Sequence, residues 1–176
     1  MCTIEDLLNS AETGAPFSHC VKCRLPLLEI DQPWWVSQEI QRDECVFEYA
    51  ICQPCRDAVT RQLSDESKEA VRQFLAREID WDARISEFML SYDMRERFAA
   101  CIACRTPREA VRAYVRSALF DSGGVLVSGP LPWMICHACV TRMNECISSE
   151  SREIWRKFLD ENFPGPPGDG TFPGFF

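Results

Sequence analysis

The stretch HCVKCRLP (His19–Pro26) returns as ACIACRTP (Ala100–Pro107). In both, a Cys-x-x-Cys pair is followed by Arg, one free position and Pro. A proline disfavours helix for the residue before it, so each phrase reads as a tight turn presenting two sulfurs. Each turn has a downstream partner, ICQPC (Ile51–Cys55) for the first and ICHAC (Ile135–Cys139) for the second. From these second pairs onward a shift of 84 aligns the halves without a gap. SDESKEAVRQFL (Ser64–Leu75) then meets SSESREIWRKFL (Ser148–Leu159). The upstream pairs align after a three-residue insertion, because 28 residues separate Cys23 from Cys52 and 31 separate Cys104 from Cys136. The chain reads as an internal duplication.

Local patterns within each copy predict an α+β module of knuckle, hairpin and helix. WWVSQEI and CVFEYAI are rich in aromatic and β-branched residues, and the second alternates Cys45, Phe47, Tyr49 and Ile51 on one face. In the second copy DSGG (Asp121–Gly124) supplies the expected turn, followed by VLVS. Leu63, Ala70, Val71, Phe74 and Leu75 share a helical face, as do Ile147, Ile154, Trp155, Phe158 and Leu159. Ser64 and Ser148 stand where helix N-caps stand. Between the copies, Trp81, Ile85, Phe88, Met89 and Tyr92 form a stripe that predicts a connecting helix packed on one or both modules. The organisation expected is an N-terminal segment (1–18), module one (19–78), a helical linker (79–99), module two (100–162) and a tail (163–176).

Eleven cysteines dominate the composition, and eight fall in the four pairs. The odd total argues against a closed disulfide framework. Two thiolates on a tight turn can share one ion, and two such turns supply four, a closed tetrahedral set. Cys20, Cys23, Cys52 and Cys55 are therefore assigned to one site, and Cys101, Cys104, Cys136 and Cys139 to the other. The expected cofactor is Zn2+, two per chain, in structural sites that contribute folding free energy directly. A thioredoxin-like dithiol, a RING-like cross-brace, an iron–sulfur cluster and a catalytic zinc are weaker alternatives. His19 and His137 adjoin ligands but find no vacancy in a set of four thiolates. Cys45 and Cys146 are expected to be buried free thiols.

This arrangement resembles the treble-clef zinc fingers of GATA and LIM type over Cys20–Leu75 and Cys101–Leu159. The resemblance implies a knuckle leading to a hairpin, with the second cysteine pair opening a helix. The loop between pairs is longer than in GATA fingers, and their basic DNA-reading tail has no counterpart.

With 46% hydrophobic and 26% charged residues the chain falls in the ordinary globular range. Its opening, MCTIEDLLNS, has neither the basic nor the apolar region of a signal peptide, and no apolar run reaches the ~18 residues of a membrane span. A cytoplasmic protein with no membrane association is expected. The formal charge is −8 with neutral cysteines, and each filled four-thiolate zinc site adds −2, bringing the total to −12. Such a molecule is repelled by a phosphate backbone unless its basic groups are segregated. One segment is segregated, with six Arg against Glu96 and Glu109 between Arg95 and Arg116. Arg105, Arg108, Arg112 and Arg116 are candidate anion or partner contacts. The tail ENFPGPPGDGTFPGFF cannot continue a helix. Its Phe163, Phe172, Phe175 and Phe176 are candidate docking residues, in cis or in trans.

No Gly-rich phosphate loop, HExxH motif or nucleophile with a matching base is visible, so no enzymatic activity is expected. The leading reading is a non-enzymatic zinc protein acting as a protein–protein interaction or adaptor unit with an unnamed protein partner. A nucleic-acid-associated or transcription-regulatory protein using Arg95–Arg116 comes second, disfavoured by net charge. A redox or metal sensor comes third.

Overall fold

The computed structural model describes residues 4–163. After a short α1 (Ile4–Leu7), the first knuckle leads to strands β1 (Trp34–Gln41) and β2 (Glu44–Cys52). Helices α2 (Gln53–Gln62), α3 (Asp65–Glu78) and α4 (Trp81–Leu90) follow. The second copy supplies β3 (Ala113–Phe120), β4 (Trp133–Cys136), α5 (His137–Glu145) and α6 (Ser149–Asn162). The expected α+β class is what the structure shows.

The two hairpins do not form separate sheets. They join into one antiparallel sheet of order β2-β1-β3-β4, in which β1 pairs with β3 along its whole length. Ser37 faces Ser117 at the centre, and the Ser117 hydroxyl donates to the Val36 carbonyl at 3.1 Å. The knuckles close the outer edges: Val21 N–H donates to the Ala50 carbonyl and Ile102 N–H to the Met134 carbonyl, both at 2.8 Å. Each copy thus lends its inner strand to the other and protects its outer strand with its own Cys-x-x-Cys turn.

The helices interlock as well. Trp155 and Phe158 of α6 pack on Tyr49 of β2, in the first repeat. Phe74 and Glu78 of α3 engage Arg142 of α5, in the second. Both closing helices begin as their serines predict, Ser64 Oγ accepting from Ser67 N–H and Ser148 Oγ from Ser151 N–H. These caps also meet each other. Ser64 N–H donates to Ser151 Oγ and Ser148 N–H to Ser67 Oγ, both at 3.0 Å, and Ser67 Oγ donates to Ser148 Oγ at 3.1 Å. The repeated serines therefore knot the two repeats on an approximate twofold axis.

The opposite face of the sheet holds the N-terminal segment. Gln38, wholly buried, sits between its cross-strand neighbours Glu48 and Arg116. Its amide donates to Glu48 and to the Asn9 carbonyl, and it accepts from Arg116 Nε at 2.8 Å. Glu48 also accepts from Ser10 Oγ and the N–H groups of Ala11 and Glu12. Burial acts to raise the Glu48 pKa, but these donors outweigh it and hold the carboxyl below its ordinary 4.5. Its contribution to stability is full above 4.5 and disappears as pH falls through the lower folded value. Glu48→Gln should therefore flatten the acid limb of a urea-stability profile; an unchanged acid limb would contradict this role.

Two local expectations change. The VLVS segment is not a ladder strand. Asp121–Gly124 makes the predicted turn and Phe120 bridges Leu126, but the chain then leaves the sheet until Trp133. Pro130 and Pro132 interrupt it, since proline has no N–H to give a ladder. The connecting helix α4 exists, capped by Asp80, but covers only part of the predicted stripe: Trp81 packs against the core and Phe88 is half-buried. Ile85, Met89 and Tyr92 are exposed, and the buried residue is Arg84. Arg84 donates to the carbonyls of Pro130, Arg97 and Pro132.

Candidate metal centres

Each knuckle is a closed loop whose geometry repeats. Cys20 N–H donates to the Leu25 carbonyl and Arg24 N–H to that of Cys20; Cys101 and Arg105 do the same with Thr106 and Cys101. The arginine after the second cysteine takes a left-handed backbone, φ 63° in both copies, where glycine would be free of steric cost. Each arginine side chain reaches a helix outside its own knuckle. Arg24 donates to the Asn162 carbonyl at the end of α6, and Arg105 pairs with Glu87 of α4.

The second pairs open helices as expected. Cys52 and Cys136 are the N-caps of α2 and α5, and Pro54 lies in the first turn of α2, where its missing N–H costs nothing. This geometry brings Cys20, Cys23, Cys52 and Cys55 together, and likewise Cys101, Cys104, Cys136 and Cys139. All four sulfurs of each set lie within 4.8 Å of one another. The Cys23–Cys52 and Cys104–Cys136 sulfurs are 3.9 and 3.6 Å apart. Four ligands at about 2.3 Å from one tetrahedral ion are separated by about 3.8 Å, so the spacing fits a single metal ion. The spacing is also far beyond a disulfide's ~2.05 Å.

The electrostatics of each set favour a cation. Cys52 N–H donates to Cys20 Sγ at 3.5 Å and Cys136 N–H to Cys101 Sγ at 3.3 Å. The Cys101 thiol is pulled down to about 4, chiefly by the hydrogen bond from Cys139, with help from main-chain N–H groups against the opposing effect of burial. At Cys20 burial opposes ionisation, but the backbone donors around it prevail and lower its pKa. Cys52 and Cys136 are pushed up to about 11, first by burial, and Cys55 and Cys139 are also raised. In both copies the first cysteine ionises readily and thereby resists ionisation of its neighbours. A divalent ion removes that conflict, because it stabilises all four thiolates at once. Among the described residues neither His19 nor His137 belongs to these sets.

The other candidate residues are scattered. Arg105 is engaged with Glu87, while Arg108 and Arg112 are exposed. Arg116 lies in β3, bonded to Gln38. Phe163 packs edge-on against Phe47, with centroids 4.6 Å apart, and against Tyr49 and Phe158. Phe172, Phe175 and Phe176 lie outside the described residues.

Cys45 and Cys146 both differ from expectation. Cys45 is half-buried, and its sulfur approaches a Glu48 oxygen at 3.5 Å. Burial first, and the Glu48 charge second, push it up to about 11. Cys146, expected to be buried, is exposed at the end of α5, one turn after the exposed Arg142, whose carbonyl its sulfur meets at 3.4 Å. A thiol reagent at pH 8, with labelled peptides mapped by mass spectrometry, should modify Cys146 at least tenfold faster than Cys45. Equal rates would refute this ordering.

Sequence reasoning missed Arg84 and Arg97, both buried. The available signal was position: Arg84 lies three residues after Trp81 and four before Phe88, on the face that actually packs. Among the described residues no helix is long and apolar enough to cross a membrane. Comparison with protein-family models, with curated proteins and with solved structures found no match to this chain.

Proposed function

We propose that this chain is a non-enzymatic zinc protein whose two sites are structural, and that it serves as a docking unit for another protein. The observation that carries the reading is the pair of complete four-thiol sets at single-ion spacing. A set of four protein sulfurs leaves no position for water or substrate, which is the signature of a structural rather than a catalytic zinc. Each unit consists of a knuckle, a hairpin and a cysteine pair opening a helix, in keeping with a treble-clef type of module. The docking role is supported by α4, where Ile85, Met89 and Leu90 together with the following Tyr92 stand 48–87% exposed. Large apolar side chains grouped on one surface mark contact sites in soluble proteins.

Elemental analysis of the purified protein tests the first half, with two zinc per chain expected. One or none overturns it, and iron would redirect it. Capture of a partner from the native cell that is lost with Leu90→Asp and Tyr92→Asp supports the second half. Capture unaffected by those changes removes α4 from the reading.

A further inference from the structure

The two four-thiol sets match in spacing but not in what surrounds their sulfurs. In both, the first cysteine of each pair is buried, and the second cysteine of the knuckle, Cys23 or Cys104, is exposed. The cysteines inside the helices differ. Cys139 is only 2% exposed, whereas Cys55 is half-buried and partly open to solvent. We propose that the first set is a site of modification by hydroperoxides, through Cys55 and Cys23, and that it gives up its metal ion ahead of the second set. The inference rests on the two-zinc reading above and gives the two sites different roles.

The second set is also guarded by side chains that the first repeat lacks. The Thr106 hydroxyl meets the Cys104 sulfur at 3.1 Å, and with that sulfur ionised the hydroxyl is the donor. Leu25 holds the matching place in the first repeat and has no polar side-chain atom to offer Cys23. Arg142, three residues after Cys139, pairs with Glu78 at 2.6 Å, and its guanidinium also bears on the Cys139 sulfur. The matching residue after Cys55 is Ala58. Two cations close to the first set are engaged elsewhere: Arg24 donates to the Asn162 carbonyl, and Arg56 lies over the Trp35 ring and pairs with Asp57. The Lys22 ammonium makes no hydrogen bond to a ligand sulfur among the described residues.

A donor or cation at a thiolate draws on the electron density with which it attacks, and groups around the ligands of a metal govern their reactivity. Oxidation of cysteine follows thiolate character and exposure. Cys23 and Cys55 combine the two, Cys104 is exposed but carries a donor, and Cys139 is covered and faces a cation. In the proposed step the Cys55 thiolate attacks one oxygen of the hydroperoxide. The O–O bond breaks, the sulfur becomes a sulfenic acid, and hydroxide or alkoxide leaves. Cys23, whose sulfur lies within 4.8 Å, then displaces hydroxide from that sulfur and closes a disulfide. Two electrons pass from the two sulfurs to the peroxide, and the first set is left with two thiolates, too few to keep its ion.

The test uses the zinc-loaded full chain, with two zinc per chain verified by elemental analysis. Hydrogen peroxide is added in excess, and aliquots are quenched in acid, alkylated and mapped by mass spectrometry. A chromogenic chelator counts the zinc released. Initial rates are compared, before loss of one ion loosens the interlocked partner repeat. Cys23 and Cys55 should oxidise at least tenfold faster than Cys104 and Cys139, with the first zinc leaving at the rate of the faster pair. Thr106→Val should quicken oxidation of Cys104 about threefold, and Leu25→Thr, at an exposed side chain, should slow that of Cys23 by a similar factor. Equal rates for the two sets in a chain carrying two zinc, or rates unmoved by both substitutions, overturn the proposal. A chain that purifies with fewer than two zinc overturns the zinc reading itself, and this inference with it.

Discussion

Replacing Cys101 by serine should remove one metal ion and unfold both repeats. Cys101 is wholly buried, its sulfur accepts the Cys136 N–H, and it is the readily ionised thiol of its set. Structural zinc contributes about 10–16 kcal/mol to the folding of small domains. A protein of this class has only about 5–15 kcal/mol of net stability to lose. In two independent modules the damage would stop at the second half. Here β3 is hydrogen-bonded to β1 along its full length, and the serine knot ties α6 to α3. Hydrogen exchange should therefore show lost protection in β1 and β2 as well as in β3 and β4, with the metal count falling to one or none. Protection of β1–β2 at the wild-type level would contradict the interlocked picture. Two metals retained would contradict the site.

The second large effect is expected at Arg84. Arg84→Met keeps much of the side chain's volume but strips the donors from the Pro130, Arg97 and Pro132 carbonyls. Each buried carbonyl left without a partner costs about 1–3 kcal/mol, and losing one member of a buried charged network costs about 3–5 kcal/mol. With a urea slope on the order of 2 kcal/mol per molar, the unfolding midpoint should fall by roughly 2 M. Met89→Ala, on the exposed side of the same helix, should stay within about 0.5 kcal/mol of wild type. A cost below 1 kcal/mol for Arg84→Met would mean that the three carbonyls find other donors, and the assigned role would be wrong.

The parts of this protein legible in the sequence are those governed by local chemistry. Cys-x-x-Cys on a turn, a cysteine pair opening a helix, and Ser64 and Ser148 as caps each depend on residues a few positions apart. The spacing rules for those features hold whatever lies around them, so the eight cysteines and the two repeated helices could be placed from the chain. The α4 stripe was right only in part, for the opposite reason. Periodicity identified a helix, but which side is buried depends on its neighbours, and the carbonyls of the Pro130–Pro132 stretch required a donor more than the core required Ile85 or Met89. Cys146 differs for another reason: it follows Arg142 by one turn on the exposed face of α5, off the buried face of Cys139, Val140, Met143 and Ile147.

By itself the sequence determined that the chain is a duplication, and that each copy brings four thiols to within reach of one ion. Those facts follow from identity and spacing, which short-range geometry converts directly into structure. Only the tertiary structure decided how the copies relate. It showed that β1 chooses β3 as its second partner, that α3 and α6 each cover the other repeat, and that the matching serines form one knot. Strand partners and burial are set by the free energy of the whole packed molecule, in which residues 80 positions apart compete for the same surface, and no local pattern records the outcome.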